Sequence, residues 1–467
     1  MKIKKITLLL FLVFFICGCT AKYDLDIKEN SFTENLEISA TSNETLYKYT
    51  LDNGLDVIII PKKECIKKYA IFATHFGSMN YRFKSSNDSE IVEVPDGVAH
   101  FLEHKLFEQE DGINALDRLT KMGANPNAYT SFNHTAYLFE CTENFNDVFK
   151  ALLHFVQNPY LTDENVEKEK GIIGQEIQMY DDDPSWQLFF NMLGGMYKNH
   201  AITKDIAGTI ESISHITPEI LYKCYNTFYD SSNMVICVVG NVDKDEVLET
   251  IKSDVKRNKL TSKIERFYDD EIKDINKKEV IKKMDISMPM AAIGFKDNFI
   301  SEKLEAGFTN DSLKLAKRDV AMQIALTMIC GKSTKFFEDL YNSGLIIKPF
   351  DMNFSFEEDY AFSMIGFEAY EYRDVIEKLK ERIMEVKSNS LDKELFEKTK
   401  KSLYGDFVRM FNSVSSIATN FINNYFRGID TSDYVEAYKT ITLEEIKNVI
   451  EEHFDFDKLA VSIIECK

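Results

Sequence analysis

Apolar and polar positions begin to alternate at Tyr47, and from there the chain falls into short segments separated by turn signals. Apolar runs at 47–51 and 55–60 flank Asp52-Asn53-Gly54, a strong hairpin signal, and a third run at 69–76 has the same strand composition. Helical spacing of apolar positions follows at 97–107 and 114–122, and strand composition returns at 127–142. Two longer helices are predicted at 145–157 and 162–180, the second closed by Asp183-Pro184. Residues 21–44 are polar and unpatterned, and read as a tether.

The rest of the chain carries a weak internal repeat. Ile216-Thr217-Pro218-Glu219 opens a helix that leads to an apolar strand at 233–240, and Ile441-Thr442-Leu443-Glu444 opens another that leads to 459–464. Thr217 and Thr442 lie 225 residues apart, and so do Val238 and Ile463. Chance likeness of two helix–strand units is one reading. The other is a pair of similar α+β domains, 45–260 and 285–467, joined by a charged linker over 261–284.

Composition narrows the classes. The chain has 467 residues, is 44% hydrophobic and 28% charged, and so has enough apolar surface for two cores. A net charge of −20 excludes nucleic acid as a natural partner and suits solubility or a basic or neutral peptide. At the start, Lys2, Lys4 and Lys5 precede an apolar run over 6–16, the pattern of a signal peptide covering residues 1–18. Ile16-Cys17-Gly18-Cys19 resembles the lipobox of bacterial lipoproteins, which implies lipidation of Cys19 and a membrane partner. An uncleaved anchor is the alternative. Both place the body of the protein on the extracytoplasmic face of the cell membrane. The six other cysteines form no CxxC pair, which removes a zinc ribbon or thioredoxin-like site.

The candidate chemistry lies at His100-Phe101-Leu102-Glu103-His104. On a helix, positions 100, 103 and 104 share a face while Val98, Phe101, Leu102 and Leu106 cover the other. Two imidazoles at i and i+4 can grip one metal ion, and a catalytic zinc needs a third protein ligand plus an open position for water. Zinc brings that water to a pKa of about 7, and Glu103 stands where a carboxylate would take its proton. Two solvated histidines on a surface helix is the plainer reading.

The segment 97–107 resembles the inverted zinc signature of the insulinase/pitrilysin family, the inverzincins. In that family the third ligand is a glutamate some way downstream, in a helix with two glutamates seven apart. Glu169 and Glu176 match, Glu176 lying 72 residues after His104. The resemblance therefore implies one Zn2+ per chain held by His100, His104 and Glu176, with Glu103 as base and Glu169 in support. Read alone, the same helix is equally a solvated acidic face. Asn125-Pro126-Asn127-Ala128-Tyr129-Thr130-Ser131 matches the family strand that pairs with substrate backbone, which makes Asn127, Ala128, Tyr129 and Thr130 candidate substrate-binding residues. Alone, it is equally an ordinary core strand.

The resemblance further implies an α+β fold of two homologous domains, each an antiparallel sheet packed with helices, forming half of a clamshell. Its chemistry would be confined to the first domain, because at an offset of 230 Thr399 stands for Glu169 and Asp406 for Glu176. Many relatives also carry an arginine and a nearby tyrosine in the second domain. Here Tyr341 occupies the arginine's place. The implied function is a zinc metalloendopeptidase that cuts peptides or small unfolded segments outside the cytoplasmic membrane, working with a homologous second subunit as a hetero- or homodimer. A non-catalytic or partner-dependent subunit is the alternative.

Overall fold

The structure, a computed structural model, describes residues 32–39, 42–256, 263–297, 311–357 and 359–467. The signal peptide and Cys19 lie outside the described residues. Within them, no helix is long and apolar enough to cross a membrane.

A seven-stranded sheet runs in the order Phe32–Ser39, Ser42–Thr50, Asp56–Pro61, Met234–Gly240, Lys68–Thr74, Thr135–Cys141, Asn125–Thr130. All neighbours are antiparallel except Asp56–Pro61 with Met234–Gly240. A five-stranded sheet repeats that plan: Glu279–Met284 runs parallel to Leu459–Cys466, followed by antiparallel Met290–Lys296, Ala361–Glu368 and Asp351–Phe356. A small sheet of Ile264–Arg266, Arg82–Ser85 and Val92–Glu93 completes the set. The two-domain α+β architecture read from the sequence is present, and Asn125–Thr130 is a free sheet edge.

The apolar pattern explains why both sheet faces are covered. In the strand Asp56–Pro61, Val57 and Ile59 enter one core and Ile58 and Ile60 another, so a continuous apolar run is required. The first core holds Val98–Leu106, Phe145–Val156 and Pro218–Phe228; the other is closed by Val414, Ile417, Ala418, Phe421 and Ile422. Those five residues belong to a helix, Val414–Phe426, from the second half of the chain. The exchange is mutual. Pro184–Met196, from the first half, lies under the five-stranded sheet, with Leu188, Met192 and Met196 among Ala292, Phe362, Ala460 and Ile464. Glycine fits at 294, because a Cβ there would stand 2.9 Å from the Ser363 carbonyl oxygen, which the sheet holds in place.

This exchange corrects the predicted boundaries. Residues 261–284 are not a free linker: Ile264–Arg266 pairs with Arg82–Ser85, and Glu279–Met284 is a strand of the second sheet. The tether predicted to residue 44 is likewise shorter, since Phe32–Ser39 and Ser42–Thr50 pair as a hairpin at the sheet edge. The segment 127–142 is two strands, its turn at 131–134 hidden by continuous strand composition. Asp183-Pro184 closes the helix Asp163–Asp182 as read from the sequence, and Pro184 also begins the exchanged helix, with Asp183 accepting from the Ser185 and Trp186 amides. All six described cysteines are free.

Candidate metal centre

The helix Val98–Leu106 begins at Gly97, whose φ of +88° only glycine adopts without strain. A side chain there would also meet the Ala207 carbonyl oxygen at 2.4 Å. Val98, Phe101, Leu102 and Leu106 are buried in the first core, which turns His100, Glu103 and His104 to the opposite side. The helix Asp163–Asp182 packs beside it, capped by a reciprocal Thr162–Asn165 box.

Three donors converge between these helices. His100 Nε2 is 3.7 Å from Glu176 Oε1, and His104 Nε2 is 3.5 Å from Glu176 Oε2. One ligand atom from each of the three residues can be chosen so that all lie within 4.8 Å of one another. Tetrahedral zinc with bonds near 2.0–2.1 Å separates its ligand atoms by about 3.3 Å, so the set fits after small side-chain adjustment. The donor chemistry fits as well. His104 Nδ1 donates to Glu169 Oε1 at 3.0 Å, leaving Nε2 as a lone-pair donor toward Glu176. Burial holds the His100 imidazole down to about 4, with the neighbouring His104 charge adding to it against Glu176 and Glu169. His104 also feels burial, but the Glu169 hydrogen bond and the charges of Glu103, Glu169 and Glu176 win and raise it. A dication would favour neutral imidazole at both.

Lys105 is fully buried among these groups. Its Nζ lies 2.8 Å from Glu108 Oε2 and 3.5 Å from Glu169 Oε2, and donates to the Asn165 carbonyl at 3.1 Å. Burial pushes the Glu169 carboxyl up, but the His104 hydrogen bond and the Lys105 charge outweigh it and hold it low. Glu169 is therefore an anionic prop under His104. Glu103 is buried beside the cluster, and without a cation burial raises its carboxyl to about 7 against the Thr130 hydrogen bond. Its Oε2 accepts from Thr130 Oγ1 at 2.6 Å.

A cavity of about 360 Å³ joins these parts, lined by His100, Glu103, His104, Glu176 and the edge residues Asn127, Ala128, Tyr129 and Thr130. The sequence-predicted residues thus meet in one place, but two differ in detail. The Tyr129 ring turns to the other face of the sheet and packs at 5.5 Å on His134. The Thr130 hydroxyl is taken by Glu103, which leaves the backbones of both residues at the cavity edge. Lys105, Tyr180 and Trp186 escaped sequence reading, though Tyr180 stands one helical turn past Glu176 and could have been found that way. Asp406, matched to Glu176 in sequence, is exposed and paired with Arg409. Tyr341 is half exposed on the helix Lys335–Asn342.

Residues 91–210 match the family model Insulinase (Peptidase family M16), and residues 215–403 match that of the Peptidase M16 inactive domain. The uncharacterized zinc protease YmfH of Bacillus subtilis is 40% identical over 421 residues, covering 90% of this chain and 96% of that protein. Mitochondrial-processing peptidase subunit beta of Bos taurus is 31% identical over 164 residues, about a third (34%) of each chain. The crystal structure of an M16-like peptidase from Alicyclobacillus acidocaldarius superposes with a TM-score of 0.85 at 32% identity, covering 94% of this chain and 99% of that one. The chain belongs to the insulinase family, peptidase family M16.

Proposed function

From that membership and the geometry of the centre, we propose that the chain is a zinc-dependent metalloendopeptidase acting on peptides or small unfolded segments. One observation carries the reading: His100, His104 and Glu176 converge in a cavity that also holds a buried carboxylate, Glu103, and a free strand edge. His100, His104 and Glu176 would hold one zinc ion. When bound, zinc polarises the scissile carbonyl and acidifies water. The edge strand Asn125–Thr130 would receive an extended peptide by main-chain pairing, which gives affinity without reading sequence. Glu103 would take a proton from the attacking water and pass it to the leaving amine, so that the C–N bond breaks and a carboxylate and an amine result. Thr130 keeps the Glu103 carboxylate turned toward that position.

The test is metal content and cleavage together. Purified chain should hold one zinc, lose it in His104→Ala, and keep it in Glu103→Gln while cleavage of a quenched peptide library collapses. Undiminished cleavage by Glu103→Gln would sink the mechanism.

A second reading, a subunit that needs a homologous partner, is favoured by Tyr341 standing where the resemblance calls for an arginine. Turnover measured with and without a co-purifying homologous chain separates the two. The proposed location follows from Cys19 and rests on sequence alone. Cys19→Ser should release the protein from membranes or leave it unprocessed.

A further inference from the structure

Glu176 sits on an exposed stretch of its helix, flanked by the exposed residues Gln175, Gln178 and Met179, yet its carboxylate is held. The Tyr180 hydroxyl, one turn later, donates to Glu176 Oε1 at 2.7 Å. The Tyr180 ring in turn stacks on Trp186, centroids 4.6 Å apart and planes 16° from parallel. Trp186 Nε1–H donates to Asp205 Oδ2, and the other Asp205 oxygen accepts from the Ala207 amide at 2.9 Å. Ala207 is the residue whose carbonyl lies against Gly97 at the start of the histidine helix. Gly208 presses back, since a Cβ there would meet the Asp96 carbonyl oxygen at 2.5 Å, and Lys204 Nζ pairs with Asp96 Oδ1 at 2.8 Å.

The contacts close a ring. It leaves the histidine helix at Gly97, passes through Asp205, Trp186 and Tyr180, and returns to the centre at Glu176. We propose that Tyr180 is a positioning residue for Glu176, and that Trp186 and Asp205 hold Tyr180 so that the third ligand is placed relative to the two histidines. A glutamate on a solvent-facing helix samples several rotamers, and freezing them on metal binding costs conformational entropy. A hydroxyl already bonded to one oxygen removes part of that cost before the ion arrives. Trp186 also opens the first-half helix Pro184–Met196 that lies under the second sheet, so the brace is anchored in the packing between the halves.

This inference rests on the metal-centre reading above, and the experiment separates the two. Zinc affinity is measured by competition with a chromophoric chelator, using full-length soluble protein. Tyr180→Phe keeps the stack and deletes the hydroxyl, and it should weaken zinc binding by about 10–100-fold, the usual cost of removing a group that orients a ligand. Its near-UV circular dichroism should match that of the unchanged chain, which a general loss of structure would not allow. Trp186→Phe should weaken zinc binding less. The double variant should be no weaker than Tyr180→Phe alone, because the two residues act in series. Zinc bound by Tyr180→Phe within twofold of the unchanged chain, or additive losses in the double variant, would overturn the brace. If Tyr180→Phe folds poorly, Trp186→Phe carries the same test, since unaltered affinity there removes the proposed support. Should His104→Ala keep its zinc, the metal-centre assignment itself fails, whatever Tyr180 does.

Discussion

In the first half, Glu169 is buried between His104 and Lys105, and Glu176 opens into the cavity. On the matching helix of the second half, Lys393–Met410, Thr399 is buried with no hydrogen-bond partner for its hydroxyl among the described residues, and Asp406 lies exposed beside Arg409. The edge strands differ in the same way. Asn125–Thr130 ends in a threonine bonded to Glu103, whereas Asp351–Phe356 ends in a phenylalanine buried in the core. The second half keeps its polar groups in a closed cluster. His453 bridges Asp297 at 2.9 Å and Ser363 at 2.7 Å, and Arg318 reaches Asp297 at 2.9 Å. One frame thus holds its shape with or without buried acids facing a cavity. Both halves bury charged groups, so burial of ions alone does not separate them; what differs is that Glu103 and Glu176 line a cavity, whereas Asp297 and Arg318 pair with each other.

The largest test of that contrast is catalytic. Glu103→Gln should lower peptide cleavage by about 10²–10⁴-fold with zinc retained, the range expected for a lost general base. Thr399→Val, in the other half, should leave cleavage unchanged and stability equal or slightly raised, because a buried hydroxyl with no partner is replaced by an isosteric methyl. Steady-state kinetics and a denaturant melt on both variants check the pair. A Thr399→Val chain that loses cleavage would show that the halves are not divided as described.

A mirrored exchange comes next. Glu169→Gln should weaken zinc binding by about 10–100-fold by removing the anionic prop from His104. Thr399→Glu would bury a carboxylate at a position only 3% exposed, and should cost about 3–5 kcal/mol of stability. Chelator competition reads the first and urea unfolding the second. Equal, small effects in both would mean that Glu169 is not held by its surroundings.

Much of this contrast was legible in the sequence, and the reason is local periodicity. The histidine helix and the hairpin at Asp52-Asn53-Gly54 announce themselves within a few residues, the paired glutamates emerged only through the family resemblance, and the 225-residue repeat reappears as two sheets that share a five-strand order. What stayed hidden depends on distant partners. Pro184–Met196 and Val414–Phe426 went unassigned, because nothing near them in sequence says that each covers the other half's sheet. Lys105 received no reading from the sequence, because Asn165 and Glu169, which surround its ammonium, come from the distant helix Asp163–Asp182. Thr130 was assigned to substrate by main-chain pairing alone, and strand alternation does not reveal that its hydroxyl meets Glu103 across the cavity.

A pH series sharpens the comparison further. Burial holds the His453 imidazole below its ordinary value, with the Asp297 hydrogen bond opposing. The folded chain resists a proton that the unfolded chain takes up below about pH 6.5. His453 therefore contributes stability that is complete above that pH and declines as pH falls. Asp297 is buried too, but its bonds to His453 and Arg318 hold the carboxyl well below its usual range. Its contribution is complete above about pH 4 and is lost below. Zinc-loaded protein should thus melt at progressively lower temperature from about pH 6.5 downward, and His453→Gln should flatten that slope while lowering stability at pH 8. An unchanged slope in His453→Gln would assign the acid lability to the first half.

The smallest effect is expected at Asp406. It stands at the sequence position matched to Glu176, so a hidden role in metal binding or in shaping the second half would show here. Its only described partner is Arg409, three residues on, and the two side chains are 57% and 67% exposed. An exposed pair of this kind is worth about 0–1 kcal/mol, since solvent screens the charges and ordering two long side chains offsets the attraction. Asp406 also lies in the last turns of Lys393–Met410, where an acid opposes the helix dipole, and removing it regains a few tenths of a kcal/mol. The two terms nearly cancel. Asp406→Ala should shift the urea midpoint by no more than about 0.5 kcal/mol equivalent and leave zinc affinity untouched, whereas Glu176→Ala should abolish tight zinc binding. A loss above 1 kcal/mol at Asp406, or any change in zinc affinity, would mean that this helix still does something its exposed acid alone does not show.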